Sequence, residues 1–121
     1  MKFYICPHCG NIITKINDSK VGVVCCGSEM EEMIPGTSDG AHEKHVPVYT
    51  VEGNLVTVKV GEVEHPMDED HYIAVIELIA DGQVHKQYLN PGDKPEATFK
   101  IPEATDLKAR EFCTIHGLWQ S

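Results

Sequence analysis

The chain has 121 residues, 41% of them hydrophobic, and carries ten Lys and Arg against 19 Asp and Glu, for a net charge of −9. That length holds one ordinary domain, or a small domain joined to a larger one. The acidic balance speaks against nucleic acid or anionic membrane as a partner, and no apolar run approaches the roughly 20 residues of a membrane-spanning helix.

Met1-Lys2-Phe3-Tyr4 leads directly into Cys6, without the apolar stretch and small-residue cleavage site of a secretory signal. The expectation is a cytoplasmic protein whose thiols stay reduced. Five cysteines in that setting point to metal rather than disulfides, and an odd number leaves any all-disulfide scheme with an orphan.

Residues 1–34 contain too few apolar side chains for a core of their own, and a unit of that size needs a metal or disulfides. The staple is visible in Cys6-Pro7-His8-Cys9-Gly10 and Val24-Cys25-Cys26-Gly27. The first pair has the spacing whose tight turn points two sulfurs at one ion. The second pair is adjacent, so both sulfurs reach that ion only if the backbone is distorted. Four thiolates suit zinc or iron, and spacing does not separate the two. His8 lies between two ligands, but four thiolates already close a tetrahedral site, so it reads as an exposed loop residue.

Residues 35–44 are turn-rich and polar and read as a linker, or as a loop crossing to the second domain. From His45 the pattern turns to β. Val46 to Val51 and Leu55 to Val60 flank the turn Glu52-Gly53-Asn54. His71 to Ala80 is a long strand with apolar residues on both faces, so a buried one. Asp81-Gly82 is a hairpin turn, and Val84–Leu89, Ala97–Ile101 and Ala109–Ile115 complete the set. Short strands at regular spacing, with no convincing amphipathic helix, predict an antiparallel β-sandwich.

His45, His65, His71 and His116 each fall at a strand end or in a connecting loop, and loop ends of a sandwich cluster in space. Cys113, the lone cysteine of the second part, precedes His116 at Cys-x-x-His spacing. Four imidazoles and one thiolate exceed the four ligands of structural zinc. Five ligands on an ion that prefers six leave one position open, as redox iron requires. His42, in the linker, and His85, in mid-strand, read as ordinary histidines.

Cys6-x-x-Cys9, Cys25-Cys26, Glu43-Lys44-His45-Val46-Pro47, His65-Pro66-Met67, His71-Tyr72-Ile73 and Cys113-Thr114-Ile115-His116-Gly117-Leu118-Trp119 together resemble the desulfoferrodoxin family, the two-iron superoxide reductases. The resemblance spans essentially the whole chain, and the stretches around His45 and Cys113 carry most of its specificity. It implies a mainly β protein with two non-haem iron ions. A rubredoxin- or desulforedoxin-like domain, residues 1–36, would hold one iron in distorted tetrahedral coordination by Cys6, Cys9, Cys25 and Cys26. An immunoglobulin-like sandwich, residues 37–121, would hold the catalytic iron. Its four equatorial imidazoles would come from His45, His65, His71 and His116, and its axial thiolate from Cys113. The resemblance further implies one-electron reduction of superoxide to hydrogen peroxide, a rubredoxin-like electron donor, a homodimer, and oxidative-stress defence in an anaerobe or microaerophile.

Two further residues stand directly before ligand His45. Lys44 offers the local positive charge that an acidic chain needs to attract an anion. Glu43 is the carboxylate that, as the resemblance implies, takes the sixth position of ferric iron after peroxide leaves. The rival readings are a non-catalytic iron electron carrier and a zinc-stabilised interaction module.

Overall fold

The computed structural model describes residues 2–37 and 40–121, so Met1, and Ser38 and Asp39 of the expected linker, lie outside the described residues. The chain forms two compact units, Met1–Ile34 and Pro35–Ser121. None of its described helices is long and apolar enough to cross a membrane.

The first unit has five short strands: β1 (Phe3–Ile5), β2 (Ile12–Ile13), β3 (Val24–Cys25), β4 (Ser28–Glu29) and β5 (Glu31–Met33). They make a three-stranded antiparallel sheet, in the order β2-β1-β5, and a separate β3–β4 hairpin. Phe3, Cys6 and Met30 are its buried apolar side chains among the described residues. So small a set does not offset a backbone ordering cost of about 1–2 kcal/mol per residue, so the fold depends on a staple. The distortion expected of adjacent cysteines is present, since Cys26 has a left-handed φ of 51°.

The second unit opens with a single helical turn, α1 (His42–His45). The linker reading is corrected at this point. The linker's last residues are helical: Lys44 N–H donates to Ala41 O at 3.1 Å and Val46 N–H to His42 O at 2.9 Å. Four residues are too few for helical periodicity to show in a sequence.

Seven strands follow: β6 (Pro47–Glu52), β7 (Leu55–Val60), β8 (Ile73–Ala80), β9 (Gln83–Tyr88), β10 (Glu96–Lys100), β11 (Leu107–Cys113) and β12 (Gly117–Gln120). They form two antiparallel sheets, β10-β7-β6 and β12-β11-β8-β9, in an immunoglobulin-like sandwich. Val56, Val58 and Phe99 of one sheet share a core with Ile76, Leu78 and Ala109 of the other. The final strand expected at Ala109–Ile115 stops at Cys113, and an unforeseen strand, β12, follows after the chain turns through residues 114–116.

Pairing register collects the strand ends that matter. Pro47, at the start of β6, pairs with Val60 at the end of β7. Ile73, at the start of β8, pairs with Cys113, which in turn pairs with Gly117. The His45 turn, the β7–β8 loop carrying His65 and His71, and the β11–β12 turn are therefore all anchored by these paired strand ends.

β8 is buried on both faces, as its apolar run predicts, but one of its buried residues is Glu77. Its carboxylate accepts from Arg110 Nε at 3.0 Å and Nη2 at 2.6 Å, and Lys86 Nζ stands 3.4 Å away. The Glu77 side chain is 1% exposed and that of Arg110 7%. Removing Arg110 takes away the closer partner and leaves the buried carboxylate to the more distant, partly exposed Lys86. Arg110→Met should lower the unfolding free energy of the metal-loaded protein by at most about 3–5 kcal/mol, read from the denaturant midpoint at constant slope. Glu77→Leu combined with Arg110→Met should recover most of that loss.

Candidate metal centres

The four thiols of the first unit are free and converge, with all ligand atoms within 4.8 Å of one another. Cys9 Sγ and Cys25 Sγ are 3.6 Å apart, and Cys25 Sγ and Cys26 Sγ 4.0 Å. A tetrahedron with metal–sulfur bonds of about 2.3 Å has edges of about 3.8 Å, and these two edges already have that length. Their acidities diverge. Cys6 is lowered to about 6, chiefly by the backbone N–H of Cys9. Cys26 is pushed up to about 12, chiefly by the Cys9 and Cys6 sulfurs, and Cys25 is raised by the same neighbours. Four thiolates cannot coexist here at neutral pH unless a cation neutralises them.

His8 is not part of that cluster. Its Nε2 lies 2.9 Å from Ser28 Oγ, a contact that links the two cysteine-bearing loops.

In the second unit His45, His65, His71, Cys113 and His116 converge in the same way. The four rings form a closed cycle. Centroids are 4.7 Å apart for His45–His65, 4.8 Å for His65–His71, 5.0 Å for His71–His116 and 4.7 Å for His116–His45. Successive planes meet at 70–85°. Around this square, His45 Nε2 is 3.0 Å from His116 Nδ1 and 3.1 Å from His65 Nε2. Nitrogens at right angles on an ion with bonds of about 2.1 Å stand about 3.0 Å apart, against about 3.4 Å in a tetrahedron. The donor set is therefore square rather than tetrahedral.

The hydrogen bonds around the square fix its tautomers. His45 Nδ1–H donates to Ala41 O at 2.7 Å, and His65 Nδ1–H to Pro66 O at 2.6 Å. Each ring's one proton is thus committed to a carbonyl, and the two Nε2 atoms meet lone pair to lone pair. His71 Nε2 is buried with no hydrogen-bond partner among the described residues. Burial lowers His65 to about 4 and lowers His45 as well, so both are neutral at pH 7 and available as ligands. Facing lone pairs and an orphaned buried nitrogen are a cation's requirements, and this set fits a metal ion.

Cys113 supplies the sulfur. Ala74 of β8 is passed over in the pairing with β11, a one-residue slip that sets the register of Cys113. Its Sγ then lies 3.3 Å from His65 Nε2 and 3.8 Å from His116 Nδ1, and accepts the His116 N–H at 3.4 Å. Burial raises the thiol's pKa, so metal binding must displace its proton. His45 and His65 are each 2% exposed, whereas His71 and His116 are half-buried. The square has a dry edge and a wetter one.

Three surrounding residues had no assigned role in the sequence reading. A methyl group on Gly40 would come within 3.1 Å of His45 Cε1 and 3.2 Å of His116 Cβ, so a side chain there would crowd both rings. Gly61 has φ 82°, and a Cβ there would lie 2.6 Å from Lys44 O and 2.7 Å from Glu43 O. Trp119, 1% exposed, packs against His45. A glycine's close approach leaves no mark in a sequence; the only tryptophan of the chain, three residues after His116, was the available signal. Glu111, on β11, is also buried; burial pushes its carboxyl up to about 9, which keeps it neutral at pH 7. His85 lies 6.3 Å from the Phe99 ring and belongs to neither cluster.

The two donor sets share no residue. Cys9→Ser should therefore abolish the four-thiolate visible absorption and leave the mixed-donor thiolate band in place. Cys113→Ser should do the reverse. Iron content and absorption spectra of the two purified variants check this, and bleaching of both bands by either substitution would contradict independent sites.

The family model described as Desulfoferrodoxin matches residues 37–121. A desulfoferrodoxin homolog from Archaeoglobus fulgidus is 50% identical over 121 residues, covering 100% of this chain and 96% of that protein. The desulfoferrodoxin of Nitratidesulfovibrio vulgaris is 50% identical over 120 residues, covering 99% and 94%. The crystal structure of the superoxide reductase from Treponema pallidum superposes with a TM-score of 0.80 at 34% identity, over 99% of this chain and 97% of that one. The two donor sets are the seats of two non-haem irons, one held by four thiolates and one by four histidines and a thiolate, and the chain belongs to the desulfoferrodoxin family.

Proposed function

We propose that this chain is a superoxide reductase, acting at the square of His45, His65, His71 and His116 with Cys113. The observation that carries the reading is the right-angle spacing of the ring nitrogens, 3.0 and 3.1 Å, beside a buried sulfur. Those residues would hold an iron that would supply one electron, and superoxide with that electron and two protons would become hydrogen peroxide. The imidazoles are neutral and the thiolate carries one negative charge, so the ferrous site keeps a net positive charge toward an anion. Residues 1–36 serve as the four-thiolate domain and residues 37–121 as the catalytic one.

Lys44 and Glu43 are the residues proposed to act on the substrate. Both are exposed on α1, one and two residues before His45. Their backbone is gripped from the other side: Val63 N–H donates to Glu43 O at 3.0 Å, and Gly61 packs against both carbonyls. Burial dominates the lowering of the His45 pKa, and the Lys44 charge adds to it, so the ammonium is felt at a ligand. Lys44 draws the anion in, and Glu43 closes the site once peroxide has left. A rubredoxin-like donor restores the reduced state, and the protein works as a homodimer in the cytoplasm. Five free thiols suit that compartment, and exposed Ile16, Val21 and Val24 on the first unit offer apolar surface for association.

Surface charges act on a small anion only within about 8 Å at physiological salt, so the lysine nearest the site should dominate capture. Lys44→Ala should slow the bimolecular reaction with superoxide about 10-fold and flatten its dependence on ionic strength. Iron content and both absorption bands should be unchanged. Glu43→Ala should keep the fast capture step and alter the ferric spectrum and its pH dependence. Pulse radiolysis at several salt concentrations separates the two. A Lys44→Ala protein with the parent's rate and salt slope would remove the steering role, and absence of any reaction in the parent would return the chain to the electron-carrier reading.

A further inference from the structure

We propose that Trp119 is the positioning residue of the mixed-donor iron site, holding two ligands from opposite ends of the second unit and tuning the thiolate through one of them. The inference rests on the four-histidine, one-cysteine reading of that site. Trp119 lies on β12, is 1% exposed, and touches both histidines. Its ring stacks on His45, with centroids 5.0 Å apart and planes 28° from parallel. Its Nε1–H donates to His116 O at 3.0 Å. The edge of His42 closes over it, 5.1 Å away at 82°.

The two contacts do different work. His45 belongs to a helical turn of four residues with no side-chain cap, and its backbone hydrogen bonds do not fix the rotation of its ring. The indole face blocks one side of the imidazole while Ala41 O holds its Nδ1–H at 2.7 Å. Ring rotation away from the square is thereby opposed. His116 lies in a tight turn whose N–H donates to Cys113 Sγ at 3.4 Å and whose carbonyl accepts the indole N–H. Holding the carbonyl fixes the turn that presents that N–H to the sulfur. An N–H···S bond withdraws electron density from a thiolate, so the indole acts on the Cys113–iron bond through His116. Groups that orient metal ligands in this way change metal affinity by about 10–100-fold when removed.

A plain core aromatic would affect stability and nothing else. Two variants of the full, iron-loaded chain separate the roles. Trp119→Phe keeps an apolar ring for His45 and loses the N–H; Trp119→Leu loses both. In Trp119→Phe the thiolate-to-iron absorption should shift in energy while iron is retained close to the parent level. In Trp119→Leu a strong chelator should remove the mixed-donor iron about 10–100-fold faster than from the parent, with the four-thiolate band unchanged as an internal control. Emission of the single tryptophan in the parent should rise in step with that iron's loss. A Trp119→Phe protein with a cooperative thermal transition and an unshifted band would overturn the tuning role, whether or not Trp119→Leu folds. A folded Trp119→Leu protein losing iron at the parent's rate would overturn the positioning role. A parent that shows no mixed-donor band would instead overturn the site reading itself, so the two failures are distinguishable.

Discussion

The second unit is organised around a contact that is unfavourable without a cation. Two imidazole nitrogens, each with its only proton committed to a backbone carbonyl, meet lone pair to lone pair at 3.1 Å. A third nitrogen stands 3.0 Å from the first, and a fourth is buried without a partner among the described residues. Buried polar atoms cost free energy unless satisfied, and here the satisfaction is a metal ion. The commitments to Ala41 O and Pro66 O are what make the arrangement specific, because each selects the tautomer whose other nitrogen faces the ion.

The sandwich contributes rigidity at the places where the ligands leave it. His45 comes just before β6, His65 and His71 from the loop between β7 and β8, Cys113 from the end of β11, and His116 from the turn into β12. None lies in mid-strand, where alternation would fix its direction to one face. Instead, the paired ends Pro47–Val60 and Ile73–Cys113 anchor the loops, and the loops aim the rings. The slip at Ala74 of β8 shifts the register by one residue where that strand meets Cys113. The core beneath is ordinary, and the cost of ordering five ligands rests on it.

The two metal sites solve opposite problems. The four-thiol set lies in a unit with hardly any core, so binding an ion there and folding that unit are one process. Four soft anionic ligands at tetrahedral spacing close the coordination sphere and leave no place for substrate. The mixed set lies on a unit with a sound core of its own. Its neutral rings are arranged in a square, with a wetter edge at His71 and His116. A closed site suits holding or passing an electron, and a square with a free position suits giving one to a bound anion.

Composition and spacing alone established much of this. Most strands, the turns at Gly53-Asn54 and Asp81-Gly82, and the nine candidate donors were legible: strands by alternation, turns by their chemistry, cysteines by their intervals, and histidines by falling at expected strand ends. The α1 turn was not, since four residues carry no period. Strand β12 was not, since four residues after a turn are too few for alternation to show. The square arrangement, the tautomers, the grip of Gly61 on the Glu43–Lys44 backbone and the seat of Trp119 between His45 and His116 depend on partners separated by up to 74 residues in the chain. Sequence determined which atoms could bind metal. Only the tertiary structure decided the angles at which they meet, because those angles follow from strand register and carbonyl positions that no local pattern records.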